Sequence, residues 1–304
     1  MILNNLFPVF ALLVLGSLLK HYSLTTDAFL KTSDRLIYFI FFPVMLFWKI
    51  GGASSVSGTD WELCKAALCS VLTIYVLSSM HITLFNVSDY QAGTFSQSCY
   101  RFNTYIGMAI IINALGEEGI RHFGILIGVV IPVINVLAVS TLIWFSGKRF
   151  TLWERACLTG KALISNPLIL ACVAGILYSR FVNVFPPFLE NFFRLTASAA
   201  LPLALLSIGG ALTFTNLKDY IRLSLVGSIF KLLVFPVTGY FFLRAFHVTD
   251  IPFKVGMIFF TLPASTAIYV LSSQLNSDTE LASASIVLST MLSFFALSAA
   301  LLIC

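Results

Sequence analysis

The chain has 304 residues, of which 59% are hydrophobic and 10% charged, and its mean hydropathy is +0.96. A soluble domain carries about 25% charged residues, so there is too little polar side chain here to cover a water-soluble body, and the composition is that of a polytopic membrane protein. The net charge of +5 fits basic flanks of membrane spans and gives no ground for a nucleic-acid partner. The six cysteines (Cys64, Cys69, Cys99, Cys157, Cys172, Cys304) lack the spacing of a disulfide framework or a metal site.

A helical span needs about 20 mainly apolar residues. In chain order the sequence offers ten: 2–20, 35–51, 63–84, 91–115, 120–146, 159–180, 188–212, 220–244, 253–275 and 280–303. The first has no basic residue ahead of its apolar stretch, is followed by Lys20, and ends in no small-residue cleavage site. It reads as a retained span, not a signal peptide. The connections are short and hold most of the charges, which leaves no room for a soluble domain. Gly124 and Gly128 form a GxxxG expected to pack helices within the chain. His21, His81, His122 and His247 read as loop or edge residues.

The two halves repeat. Pro8 aligns with Pro167, Gly16 with Gly175, Pro43 with Pro202 and Asp60-Trp61 with Asp219-Tyr220, each at an offset of 159. The stretch 85–89, FNVSD, then meets 246–250, FHVTD, at 161. A nearly constant offset over five landmarks implies a duplication, 1–146 and 147–304. Five spans is an odd number, so the second copy enters the membrane from the opposite side, as in many secondary transporters. The basic loop 147–161 (Lys148, Arg149, Arg155, Lys161) is placed in the cytoplasm by the positive-inside rule. That puts both termini on the non-cytoplasmic side of a multi-pass cell-membrane protein.

Polar residues inside spans carry the functional signal. Arg101, Asn103 and Thr104 fall mid-way along span 4, and their counterpart in span 9 is Pro263-Ala264-Ser265-Thr266. Proline removes a backbone donor and disfavours helix before it, so both spans are expected to break. Irregular backbone at membrane depth is tolerated only inside protein or along a water-filled cavity. Two breaks that cross would aim half-helix N-termini at one place, a setting for a carboxylate. A charge at the bilayer centre costs at least about 2.5–3.5 kcal/mol, which makes Arg101 and Lys231 functional candidates. Lys231, mid-way along span 8, has Leu72 or Ser70 as its repeat mate, so it breaks the symmetry of the halves. All thirteen acids lie in or near predicted loops. Two cations and no acid in the interior favour an anionic substrate. No cofactor is expected, and proton or sodium coupling is left open.

The stretches YRFNTYIGMAII (span 4), LPLALLSIGGAL (span 7), KLLVFP (span 8) and LPASTAIYVLSSQLNSD (span 9) resemble the auxin efflux carrier family, in order and over nearly the whole chain. The resemblance is to bacterial-type members, since a long central hydrophilic loop is missing. It implies a scaffold domain (spans 1, 2, 6, 7), a transport domain (spans 3–5, 8–10), crossing spans 4 and 9, and elevator-type movement. It also implies a small organic anion as substrate, malate-like, malonate-like or an auxin-like weak acid. Asn103, and Pro263 with its neighbours, take the binding role, and a homodimer through the scaffold is plausible from the architecture. The alternatives are a sodium-coupled symporter of the bile-acid type, whose acidic span-9 motif is missing here, and an intramembrane enzyme. The latter would need a nucleophile–base pair or metal ligands inside the membrane, and no such motif is seen.

Overall fold

The structure is a computed structural model. It describes residues 2–52, 58–145, 164–182, 184–212 and 217–303, with isolated positions between 151 and 161. Lys148, Arg149 and Arg155 of the basic loop, and Cys304, lie outside the described residues.

The described chain is helical. In order it forms α1 (Ile2–His21), α2 (Asp27–Leu36), α3 (Phe42–Gly51), α4 (Gly58–Leu84), α5 (Asp89–Tyr100), α6 (Thr104–Phe145), α7 (Pro167–Phe181), α8 (Pro187–Ala211), α9 (Leu217–Ile229), α10 (Phe235–Ala245), α11 (Asp250–Thr261), α12 (Ala267–Gln274) and α13 (Thr279–Ile303). Among the described residues, six stretches are long and apolar enough to cross a membrane: most of α1, then α4, α6, α8, the run Lys218–Ala245, and α13. The apolar helix α7 is shorter. Gly116, at φ 66° and ψ −153°, bends α6 into two arms, close to the predicted division between residues 115 and 120.

Two helix pairs continue through π turns. Ile37–Phe41 joins α2 to α3, and Phe230–Val234 joins α9 to α10. A proline follows each turn, Pro43 and Pro236. A proline ring strikes the carbonyl four residues back and offers no N–H. The wider π turn, with Phe42 N–H reaching Ile37 C=O and Phe235 N–H reaching Phe230 C=O, absorbs that clash, so the helix goes on instead of ending.

α1 lies along α8 and α3 along α7. The first pair touches backbone to backbone: Gly16 sits under the Leu206 carbonyl and Gly209 under the Leu13 carbonyl, with no space for a Cβ at either. Gly175 of α7 takes the matching place, beneath Phe47 of α3. Residues 16 and 175 are 159 apart, as are 47 and 206. A second correspondence runs at 161. Asn86 and His247 both have left-handed φ (49° and 55°), and each is followed by the same helix-ending bond, Val87 N–H to Ile82 C=O and Val248 N–H to Leu243 C=O. The Gly124 and Gly128 notches are filled within the chain, by Ile50 and Cys172 respectively.

Two expectations change. His122 is not an edge residue: it is buried, and its Nδ1 pairs with Asp60, itself only 1% exposed. Asp278 is buried as well, where it accepts from Leu281 N–H and from Gln91 Nε2. Both acids stay within three residues of a helix start, and burial is tolerated because each carboxylate is hydrogen-bonded. On the same side as Asp60, Lys49 of α3 bonds Glu117 of α6 at 2.7 Å.

Candidate functional site at the crossing of two broken helices

The helix α5 ends at Tyr100 and α6 begins at Thr104. Arg101 between them is extended, at φ −74° and ψ 132°. No proline makes this break. Asn103 makes it, because its Oδ1 accepts from the N–H groups of Tyr105 (3.0 Å) and Ile106 (3.2 Å) and so caps the new helix. The second break is made by proline. Leu262 is pushed to φ −64°, ψ 145° ahead of Pro263, and α12 restarts at Ala267, whose N–H donates to Ser265 Oγ.

The two breaks meet. Asn103 N–H donates to Pro263 C=O at 2.9 Å, and Phe102 pairs with Ala264 in a single antiparallel bridge. Ala264 N–H donates in turn to Ser289 Oγ of α13 at 3.1 Å. The start of α6 and the start of α12 therefore sit beside one another, and so do the ends of α5 and α11. The site offers two positive helix ends and two negative ones.

Asn103 is 1% exposed, and its Nδ2 has no hydrogen-bond partner among the described residues. A buried amide donor left unsatisfied costs about 1–3 kcal/mol, and this one is free to donate to a ligand. Arg101 is half-buried at the carbonyl end of α5. It donates Nη2 to Asn135 Oδ1 (2.8 Å) and Nη1 to Gln97 Oε1 (3.3 Å), and among the described residues it has no acidic partner. Three of its five N–H donors are left over from these two bonds among the described residues. Thr104, Ser265 and Thr266 are half-buried beside it.

Lys231 lies in the π turn before α10 and is fully buried. Its Nζ stands 4.3 Å from the centre of the Phe235 ring and has no hydrogen-bond partner among the described residues. It is within electrostatic reach of Cys99, at the end of α5. Edge-to-face rings run from there to where the two breaks meet: Phe235 to Phe259 (5.8 Å) and Phe259 to Phe102 (4.6 Å). The structure thus brings Arg101, Asn103, Thr104 and the stretch 263–266 together and sets Lys231 behind them.

A family model described as "Membrane transport protein" matches residues 151–301. The matched stretch, just under half of the chain, is similar to that family. An uncharacterized transporter of Methanocaldococcus jannaschii is 22% identical over 298 residues, covering 95% of this chain and 94% of that relative. Both findings agree with the resemblance read from the span motifs, and both describe a membrane transporter.

Sequence reasoning missed three residues that hydrogen-bond to the candidate site: Gln97, Asn135 and Ser289. Asn135 was visible as a lone amide in GVVIPVINVLAV, and a polar side chain in such a run needs a partner. Gln97 and Ser289 gave no comparable signal. For Lys231 the transporter makes a clear prediction. Lys231→Met keeps the volume and removes a buried ammonium that has no hydrogen-bond partner among the described residues, so the melting temperature is unchanged or higher, while initial uptake into proteoliposomes falls at least about tenfold, near 1.4 kcal/mol. Scanning calorimetry and an uptake time course read the two effects.

Proposed function

We propose that this protein carries a small organic carboxylate across the cell membrane by alternating access. The carboxylate binds at the crossing, on Asn103 Nδ2, the free donors of Arg101, the hydroxyls of Thr104, Ser265 and Thr266, and the starts of α6 and α12. The Asn103 amide, without a hydrogen-bond partner among the described residues, beside an arginine with no acidic partner among them, carries this reading. Both groups donate hydrogen bonds, and Arg101 adds a positive charge, so an anion with acceptor oxygens fits them.

In the same reading the chain is a ten-span, five-plus-five inverted repeat with both termini on the non-cytoplasmic side. Support comes from the paired contacts of Gly16 with Leu206 and Gly175 with Phe47, and from the matching helix ends at Asn86 and His247. The helices α1–α3, α7 and α8 form the scaffold, and α4–α6 with α9–α13 form the moving body. A scaffold-mediated homodimer fits this arrangement. The cations Arg101 and Lys231 lie near the carbonyl end of α5, where positive charge is favourable. Lys231 there stands in for a coupling cation or takes up a proton.

The test is a thermal-shift screen of purified protein against mono- and dicarboxylates, with and without sodium and at two pH values. A ligand that binds only the folded form raises stability with its occupancy. Stabilisation by a carboxylate is expected, and it disappears in Asn103→Asp. Stabilisation by sodium alone would contradict the reading.

A further inference from the structure

Asp34, Tyr38 and Phe42 recur every four residues along α2, its π turn and the start of α3, so they share one helix face. That face meets the crossing. The Phe42 ring stands edge-on to Tyr105, two residues past Asn103, with centres 4.4 Å apart. Tyr38 lies within electrostatic reach of Arg101, and Asp34 within reach of Tyr105. Asp34 accepts a hydrogen bond from Ser207 of α8, while Arg101 is held by Asn135 and Gln97. Each charge is tethered by its own neighbours. Among the described residues the two form no ion pair with each other.

The seam where this face meets the crossing, at Phe42 and Tyr105, thus has Arg101 on the crossing side and the Tyr38 phenol and the exposed Asp34 carboxylate on the α2–α3 side. We propose that Asp34 is a specificity residue, making the seam a site for monocarboxylates that carry a hydrogen-bond donor at their far end and disfavouring dicarboxylates. The proposal rests on the reading of Arg101 and Asn103 as the carboxylate anchor. With one carboxylate on that anchor, a hydroxyl at the far end donates to Asp34. A second carboxylate there confronts Asp34 charge against charge, and beside a protein surface that repulsion is stronger than in bulk water. A repulsive element of this kind is how a site rejects a near-isostere.

Succinate and 4-hydroxybutyrate differ only in whether the far end is a carboxylate or a hydroxymethyl group, which makes them the probes. Their affinities for the purified full chain are measured by isothermal titration calorimetry. Wild type is expected to bind 4-hydroxybutyrate at least about tenfold more tightly than succinate. In Asp34→Asn the ratio collapses to within about threefold, chiefly because succinate binds better; the asparagine oxygen still accepts from Ser207. Asp34→Ser gives the same collapse if the asparagine variant folds poorly. Equal or tighter succinate binding by wild type, or an unchanged ratio in both variants, would overturn the proposal. Asn103→Asp separates the two readings: loss of both ligands in that variant keeps the anchor whatever the Asp34 ratio does, while undiminished binding of both removes the anchor itself.

Discussion

Asn103→Asp is expected to remove carboxylate binding without unfolding the protein. The new side chain keeps the oxygen that caps Tyr105 and Ile106, and a negative charge is favourable at a helix start, which offsets the cost of burying a carboxylate, so the protein stays folded. The Nδ2 donor is gone, however, and a like charge faces the ligand. Losing a hydrogen bond to a charged group costs about 1.5–3 kcal/mol, ten- to a hundredfold in affinity, and the repulsion adds to that. Asn103→Ala separates the two roles. It loses the donor and the cap together, so binding weakens by a similar factor and stability falls by about 0.5–2 kcal/mol. Calorimetric titration and thermal unfolding on both variants measure the pair of effects. Equal binding by all three proteins would remove Asn103 from the site.

The second large effect is structural. Gly209→Ala places a methyl group against the Leu13 carbonyl, where α1 and α8 touch. Neither atom is the end of a flexible side chain, so the helices must part. Overpacking of this kind costs about 1–3 kcal/mol and occasionally more, and Gly16→Ala meets the Leu206 carbonyl in the same way. Gly227→Ala is the control. Its methyl group would lie 3.5 Å from Ser98 Cβ, an ordinary contact, and alanine gains up to about 1 kcal/mol of helix preference over glycine. The melting temperature should fall by several degrees for the first two substitutions and hold or rise for the third, which differential scanning fluorimetry resolves. A fall for Gly227→Ala as large as that for Gly209→Ala would mean that helix contact is not what these glycines serve.

Much of this was legible because membrane helices write their length and their interruptions into the sequence. The run of apolar stretches marked the helices, and Pro263 announced the second break through its missing N–H. The break at Arg101–Asn103 was legible only through polarity, since the asparagine that makes it acts by capping, which depends on where its side chain turns. The π turns at Ile37–Phe41 and Phe230–Val234 were hidden: Pro43 and Pro236 suggest a kink, but whether a helix ends or widens depends on the packing around it. His122 and Asp60 were misjudged because they stand 62 residues apart, and each becomes a tolerable buried group only through the other. Asp34 read as a loop-side acid for a similar reason. The link between its helix face and the crossing runs through Phe42 and Tyr105, a tertiary fact that no local pattern encodes.

The central claim, that a carboxylate crosses the membrane through the meeting point of the two broken helices, is tested most directly by solute counterflow in proteoliposomes. Vesicles holding wild-type protein are loaded with unlabelled 4-hydroxybutyrate or succinate and diluted into a trace of the same compound carrying a radiolabel. The account predicts transient accumulation of label with at least one of them, and no accumulation above protein-free vesicles for Asn103→Asp. Accumulation of equal size in wild type and in Asn103→Asp, or none in wild type with either compound, would contradict it.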